Sequence, residues 1–239
     1  MPRTSPIHAH VIDLNADLGE GVTDDEGLLA VITSANVACG FHAGDEETMR
    51  AVCTVAAQRG VVVGAQVSYD DRDGFGRRRM DPVPSELTAW VREQVTVLAS
   101  IAVSCGTSVA YLKPHGALYN RVVDDADQAR AVLAGSAELP VLGLPGSQIL
   151  ALARADGRVV VCEGFPDRGY TAEGRLLPRD QAGALVHDPA EVAANAVRLA
   201  AGGAVQSLCV HGDAPGAVQT ARAVAVALGS AGVTLAPIF

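Results

Sequence analysis

Short runs of β-branched and apolar residues alternate along the chain with longer stretches rich in alanine and leucine. The apolar runs predict strands at residues 10–14, 34–38, 61–65, 108–112, 141–144, 159–162 and 206–210. The stretches between them predict helices at residues 46–58, 85–104, 127–134, 147–153, 190–200 and 216–228. Repeated strand-then-helix units favour parallel strands joined by right-handed crossovers.

Such units close into a barrel or form an open, doubly wound sheet. No glycine-rich dinucleotide motif follows the first strand, and no phosphate-binding P-loop pattern occurs, which disfavours an open nucleotide-binding sheet. A length of 239 residues is close to the ~250 typical of an eight-fold barrel. The sequence therefore predicts an α/β fold, a seven-stranded, irregular TIM-like β/α barrel, as a single domain over residues 1–239.

In VIDLNADLGEG, Asp13, Asn15 and Asp17 alternate directly where the first apolar run ends. Residues i, i+2 and i+4 of a strand face the same side, so these three side chains project together. Because three polar groups are costly to bury without partners, they are better placed at the mouth of a cleft. A strand end running into an Asx-rich turn is the structural alternative.

Similar polar clusters follow several later strands. They contribute His42 and Asp45 in CGFHAGD, Gln66 in GAQVSY, Lys113 and His115 in KPHGALYN, Asp167 and Arg168 in GFPDRGY, and His211 in HGDAPGA. Arg77 lies in the glycine-flanked loop DGFGRRR. Barrel enzymes build their active sites at the carboxyl ends of the strands, so this distribution predicts an active site there.

Composition narrows the function further. The net charge of -9, with no basic stripe, argues against nucleic acid as a partner. No uninterrupted apolar run approaches the ~20 residues of a membrane span, so we expect a soluble, cytoplasmic protein. The five cysteines form no CxxC pair and are odd in number, which indicates free thiols in a reducing compartment.

Six motifs occur in an order that identifies a family: IDLNADLGEG, SANVACGFHAGD, DGFGRR, KPHGALYN, DRGYTAEGRLLPR and CVHGDAPGAV. Together they resemble the family of the 5-oxoprolinase A subunit, also called the LamB/YcsF lactam-utilisation family. The resemblance implies a barrel akin to the glycoside hydrolase/deacetylase superfamily. It also implies ATP-dependent opening of 5-oxo-L-proline to L-glutamate, together with partner subunits B and C.

Two departures from the family pattern stand out. Where the family usually has GAHPSF, this chain has Gln66 in place of the histidine and Val67 in place of the proline. The connection before the CVHGD motif is also shorter than usual. Because a glutamine offers only a neutral amide oxygen, we expect no tightly bound metal.

The resemblance and the residues suggest roles in ring opening. Asp13 or Asp17 is the candidate general base, and His115 or His211 the candidate acid toward the ring nitrogen. Lys113 or a loop arginine such as Arg77 would hold the substrate carboxylate. The other predicted substrate-binding residues are Asn15, His42, Asp45, Gln66, Asp167 and Arg168. Since the chain lacks a familiar phosphate-binding loop, partner subunits are expected to handle ATP.

Two other classes of function remain open. One is a stand-alone metal-dependent deacetylase or amidohydrolase, with Asp13, His42 and His115 as ligands. The other is a non-catalytic regulatory subunit. If the chain works with partner subunits, the candidate contact surfaces are the polar loops at residues 68–80 and 165–179, which flank the predicted rim.

Overall fold

The computed structural model describes residues 10–22, 24–213 and 216–239, which build a barrel of parallel strands surrounded by helices. Residues 1–9 of the predicted domain, and Ala214 and Pro215 of the last family motif, lie outside the described residues. Seven strands follow one another around the ring in chain order. The ring is closed because the first strand pairs with both the second and the seventh. The predicted seven-stranded barrel is confirmed.

The strands begin close to where the apolar runs predict them. They are β1 (His10–Leu18), β2 (Ser34–Ala38), β3 (Val62–Val67), β4 (Val109–Pro114), β5 (Val141–Gly143), β6 (Val160–Gly164), β7 (Ser207–Val210) and β8 (Val233–Leu235). The short β8 was not predicted, and it pairs with the first residues of β1 as an extra strand beside the ring. The prediction also ended β1 four residues too early, because its polar residues resembled a turn.

The helices begin and end at recognisable caps. They are α1 (Asp25–Leu29), α2 (Glu46–Arg59), α3 (Pro84–Ser104), α4 (Gly116–Asp124), α5 (Ala126–Gly135), α6 (Gln148–Ala155), α7 (Pro189–Ala201) and α8 (Ala217–Ser230). In α2 the Asp45 side chain accepts from the backbone N–H of Thr48, and Gly60 ends the helix with φ 68°. No helix within the described ranges is both long and apolar enough to cross a bilayer.

The two faces of each strand have different environments. On β1, Ile12, Leu14, Ala16 and Leu18 are fully buried in the hydrophobic core between the strands and the helices. The alternate residues point into the barrel. Polar residues in the middle of β1 are therefore compatible with the strand, because the barrel interior supplies them with partners.

The middle of the barrel holds a group that we call the lower polar layer: Asp13, Asn15, Ser34, Asn36 and Ser207. The Asp13 carboxylate accepts from the Ser34 hydroxyl at 2.6 Å and from the hydroxyls of Thr33 and Ser207. Asn15 donates to Ser207 Oγ at 2.7 Å, and Asn36 donates to Asn15 Oδ1 at 2.7 Å. No buried side-chain polar atom of these five described residues lacks a partner.

Candidate active site

A cavity of about 610 Å³ opens at the carboxyl ends of the strands. The acidic, basic and imidazole side chains around it come from several strand ends and from the loops that follow them. They are Asp17, Glu20, Arg77, Lys113, His115, Asp124, Arg168, Arg175, Arg179, Asp180, His211 and Asp213. Apolar surface is supplied by Leu144, Phe165 and Leu176. The cavity therefore combines charge with an apolar wall at the expected end of the barrel.

Lys113 lies at the floor of the cavity among acidic groups. Its Nζ is 3.0 Å from Glu163 Oε2, 3.4 Å from Asp17 Oδ1 and 3.2 Å from Asn15 Oδ1. Burial acts against the charged amine, but Asp17 raises the pKa of Lys113 well above its usual value. Burial likewise acts to raise the pKa of Asp17, and Lys113 holds it far below its usual value. Lys113 is thus a cation already neutralised by the protein.

His211 is held by Asp167. The Asp167 Oδ2 atom accepts from the His211 backbone N–H at 3.0 Å and lies 2.8 Å from His211 Nδ1. Although burial opposes ionisation, the neighbouring imidazole holds the pKa of Asp167 below its usual value. The carboxylate therefore fixes Nδ1 as the protonated nitrogen, and Nε2 is the nitrogen available to a ligand in the cavity.

Two arginines meet one carboxylate at the rim. Arg77 pairs with Asp213, and Arg179 Nη1 lies 3.4 Å from the same Asp213 oxygen. Burial acts to raise the pKa of Asp213, and its hydrogen bond from Arg77 lowers it below the usual value. Two guanidinium groups against one carboxylate leave a positive charge, which suits an anionic ligand group.

The cavity mouth also holds a histidine cluster, which we define as Glu20, His42, Gln66 and His115. The two imidazole rings stack with centroids 3.9 Å apart at 12°. Glu20 Oε1 is 3.4 Å from His42 Nε2 and 3.5 Å from His115 Nδ1. Burial raises the pKa of Glu20, and burial together with His42 lowers the pKa of His115 well below its usual value.

This cluster contains ligand atoms of the kind that bind transition metals. One atom each from Glu20, His42 and His115 lies within 4.8 Å of the others, and all three residues are buried. Two imidazole nitrogens and a carboxylate oxygen are a donor set that suits zinc and similar ions. The residues present therefore fit a metal ion.

The predicted site residues occupy different depths. Asp17, Lys113, His115, His211, Arg77 and Arg168 line the cavity. His42 and Gln66 contact His115, and Asp167 contacts His211, so these three residues lie behind side chains that line the cavity. Asp13 and Asn15 belong to the lower polar layer, and not to the mouth as the sequence suggested.

Two predicted substrate-binding residues have structural partners instead. Asp45 is the exposed N-cap of α2, and its carboxylate accepts from the Thr48 N–H at 2.9 Å. Arg168 is buried and donates to the carbonyl oxygens of Ala184 at 3.0 Å and Leu177 at 2.6 Å. The segment at residues 165–186, between β6 and α7, is held together by these bonds.

Sequence reasoning missed Glu20 and Glu163. Glu20 stands between Gly19 and Gly21, so it resembled part of an exposed turn, yet it is 7% exposed. Glu163 is fully buried near the end of β6 and contacts Lys113. A usable signal for Glu163 was an acidic residue in an apolar strand, opposite a lysine at an equivalent strand end.

Comparison of the sequence with models of known families identifies the family of this chain. Residues 12–239 match the model of the LamB/YcsF family. The chain belongs to the LamB/YcsF family. This confirms the resemblance indicated by the sequence motifs.

Named relatives agree with this family membership. A 5-oxoprolinase A subunit from Streptomyces avermitilis is 56% identical, with 95% of this LamB/YcsF chain and 99% of that protein covered. Another 5-oxoprolinase A subunit, from Agrobacterium fabrum, is 49% identical, with 88% and 91% covered. Both alignments span nearly the whole of each protein.

Solved structures agree with the fold. The lactam utilization protein from Thermus thermophilus is 38% identical, with a TM-score of 0.88 over 94% of this LamB/YcsF chain and 98% of that one. A polysaccharide deacetylase from Bacillus cereus is 15% identical, with a TM-score of 0.57 over 96% and 92%. The second likeness shows the deacetylase-like fold alone.

Proposed function

We propose that this LamB/YcsF protein is the lactam-handling subunit of an ATP-dependent 5-oxoprolinase, which opens 5-oxo-L-proline to L-glutamate. It would act in the cytoplasm with two further subunits, B and C. The relatives' name, which makes each of them one subunit of a 5-oxoprolinase, supports a multisubunit enzyme. The observation that carries the proposal is the cavity in which the His211–Asp167 pair lies beside the Arg77–Asp213–Arg179 group.

The charged rim suits the substrate carboxylate. 5-Oxoproline carries one carboxylate on a five-membered lactam, and the excess guanidinium of the Arg77–Asp213–Arg179 group supplies the matching charge. Lys113 is less suited to this role because Asp17 and Glu163 already neutralise it. The apolar wall around Phe165 would contact the methylene carbons of the ring.

His211 is the best-placed group to deliver a proton. Ring opening leaves a poor nitrogen leaving group unless that nitrogen is protonated as the C–N bond breaks. Asp167 orients the imidazole through Nδ1, and His211 Nε2 is available to the cavity. Asp17 lines the cavity and stays ionised beside Lys113, so it would orient the attacking water. Its lowered pKa makes it a weak base for removing the proton of that water.

ATP would overcome the resonance stability of the lactam. Transfer of the γ-phosphoryl group from ATP to the lactam oxygen would release ADP and make the ring carbon a stronger electrophile. Water would attack that carbon, and the C–N bond would break as the nitrogen is protonated. The resulting glutamyl phosphate would then be hydrolysed to glutamate and phosphate. The sequence has no phosphate-cradling loop of the familiar kinds, so we assign ATP handling to the partner subunits. A reactive phosphorylated lactam is best handed over in a closed space.

Reconstitution tests this proposal. The purified chain, the two partners and the three-part mixture would each receive ATP and 5-oxoproline, with glutamate and ADP measured. We expect both products in equal amounts from the mixture alone. Glutamate formation by the single chain at the rate of the mixture would overturn the partnership. A His211→Ala mixture as active as wild type would instead indicate a non-catalytic subunit.

A second candidate is a stand-alone metal-dependent amidohydrolase. The convergence of Glu20, His42 and His115 favours it. This candidate predicts that the isolated chain, supplied with a divalent metal and no ATP, cleaves a lactam or an N-acetyl group. The same reconstitution separates the two candidates when an ATP-free arm with added zinc is included.

A further inference from the structure

The hydrogen bonds of His42 determine which of its nitrogens carries a proton. Ser68 Oγ donates its single hydrogen to the Tyr69 carbonyl oxygen at 2.8 Å. At 3.0 Å from His42 Nδ1, the same Oγ can then only accept. Nδ1 is therefore protonated, and in the neutral ring Nε2 bears a lone pair. That Nε2 is buried and has no hydrogen-bond partner among the described residues.

His115 is fixed in the complementary way. Its Nε2 lies 3.1 Å from the carbonyl oxygen of Phe75, which can only accept. Nε2 is the donor, so the lone pair of the neutral ring is on Nδ1. Both lone pairs face Glu20 Oε1, at 3.4 Å from His42 and 3.5 Å from His115. Three electron-rich atoms thus converge in a buried space.

Gln66 reduces the repulsion between two of these electron-rich atoms. Its Nε2 lies 3.1 Å from Glu20 Oε1 and 2.9 Å from His115 Nδ1, so the amide hydrogens bridge those two atoms. Within the described part of the chain, the Gln66 Oε1 atom is buried without a partner, as is His42 Nε2. Turning the carboxamide over would point its oxygen at the same space, which is favourable only when a cation is present.

We propose that Glu20, His42 and His115 bind one divalent transition-metal ion of the zinc type, with the turned carboxamide oxygen of Gln66 as a fourth ligand. Ligands about 2.0–2.2 Å from a tetrahedral zinc ion lie about 3.3–3.6 Å apart. The Glu20–His42 and Glu20–His115 separations of 3.4 and 3.5 Å match that spacing. This runs against the expectation, drawn from Gln66 alone, that the chain binds no metal tightly.

Gly76 helps to hold the ligands in place. A Cβ at Gly76 would lie 2.9 Å from His42 Cβ and 3.0 Å from His115 Cδ2, and its φ of +67° suits glycine. The backbone therefore lies directly against both imidazoles. Hydrogen bonds to Ser68 and to the Phe75 carbonyl orient the two rings, as such bonds do for imidazoles around bound metals.

Metal titration tests the proposal whichever function the chain has. The untagged full-length protein would be stripped with a chelator and titrated with Zn²⁺ against a chromophoric competitor. A parallel titration would use Co²⁺, whose visible spectrum reports coordination. We expect one equivalent of either ion per chain, and Co²⁺ bands typical of four-coordinate nitrogen and oxygen ligands.

Variants locate the site. Glu20→Gln keeps the side-chain shape, and His42→Ala removes one imidazole. Each should weaken Zn²⁺ binding by more than the ~10–100-fold that loss of a ligand's hydrogen-bond partner costs. Ser68→Ala should weaken it by ~10–100-fold, because His42 loses its orienting partner. His187→Ala, outside the cluster, is the matched control and should bind like wild type.

The results that would overturn the proposal are equally definite. Folded wild-type protein that takes up no Zn²⁺ or Co²⁺ contradicts it. So does a folded Glu20→Gln variant that binds with wild-type affinity, since the ion would then lie elsewhere. Circular dichroism of each stripped variant confirms that a lost site does not merely report a lost fold.

Discussion

The lower polar layer and the histidine cluster are both buried polar groups inside one barrel. They differ in whether their polar atoms have hydrogen-bond partners. In the lower polar layer, the Asp13 carboxylate accepts from three hydroxyls and the amides of Asn15 and Asn36 are paired. In the histidine cluster, His42 Nε2 and Gln66 Oε1 have no hydrogen-bond partner among the residues that the structure describes. The polar atoms of the lower polar layer are already hydrogen-bonded. The histidine cluster still has unpaired atoms that can bind a ligand.

This difference teaches how to separate structural from functional polar residues in a barrel. A buried polar group costs free energy unless it is paired, so complete pairing indicates a role in the fold. Unpaired atoms near a cavity indicate a role in binding. Variants of the groups around the cavity should therefore lose activity and keep stability, and variants of the lower polar layer should do the reverse.

The largest expected effect comes from His211→Ala. Removing a general acid typically costs ~100-fold to 10,000-fold in rate. The imidazole is partly exposed to the cavity, so the free energy of unfolding should change little. The measurement is 5-oxoproline-dependent ADP formation by the reconstituted complex, alongside urea unfolding of the single chain. A large loss of stability with normal turnover per folded molecule would show that His211 has a structural role, and it would contradict the distinction between the two groups.

Asp13→Ala is the counterpart in the lower polar layer. Three hydrogen bonds are lost, and at about 1 kcal/mol each the free energy of unfolding should fall by roughly 3 kcal/mol. Turnover per folded molecule should remain near that of wild type. Urea unfolding measures the first quantity and the coupled assay the second. If stability were unchanged and turnover abolished, Asp13 would be the base that the sequence suggested.

Asp167→Asn sharpens the comparison through pH. The folded-state pKa of Asp167 is below its usual value, so its stabilisation is complete above the unfolded pKa of ~3.9 and is lost as pH falls through the folded value. We expect the variant to be about 1.5–3 kcal/mol less stable at pH 7, with the difference shrinking below pH ~4. Urea unfolding at both pH values measures this, and Asp70→Asn, at an exposed site, is the control.

Arg77→Ala should have the smallest effect. Its guanidinium is partly exposed, so loss of the pair with Asp213 should cost about 1 kcal/mol of stability or less. Loss of a charged hydrogen bond to substrate should raise KM for 5-oxoproline about tenfold or more, with kcat kept. Steady-state kinetics of the complex measure both, and the exposed neighbour Arg79→Ala is the control. An unchanged KM would remove Arg77 from the carboxylate site.

The fold was largely predictable because its signals are local. Apolar runs and the alternation of strand and helix placed the seven barrel strands, and Gly60 marked the end of α2 as expected. The elements that were missed are α1, α4 and β8. The five residues of α1 and the three of β8 are too few to show a period. The nine residues of α4 overlap the KPHGALYN motif, which was interpreted as a polar cluster after a strand.

The site was predictable only in part, because its function depends on which polar atoms find hydrogen-bond partners in the folded barrel. Asp13 and Asp17 look alike in the sequence, yet only Asp17 reaches the cavity. Glu20 joins His42 and His115 through contacts between residues far apart in the chain. No local pattern reports which polar atoms remain unpaired after the barrel closes.

The hydrogen bonds of Arg168 also affect how fast the segment at residues 165–186 can open. Its buried guanidinium holds Ala184 and Leu177, and the backbone N–H groups of Gly169 and Leu177 are bonded within the same 165–186 segment. A segment cross-linked in this way opens as one cooperative unit, so its amides should exchange with solvent at a common rate. Openings of such loops occur on microsecond to millisecond timescales and often govern product release. We therefore expect the opening frequency of this segment to set the upper limit on turnover.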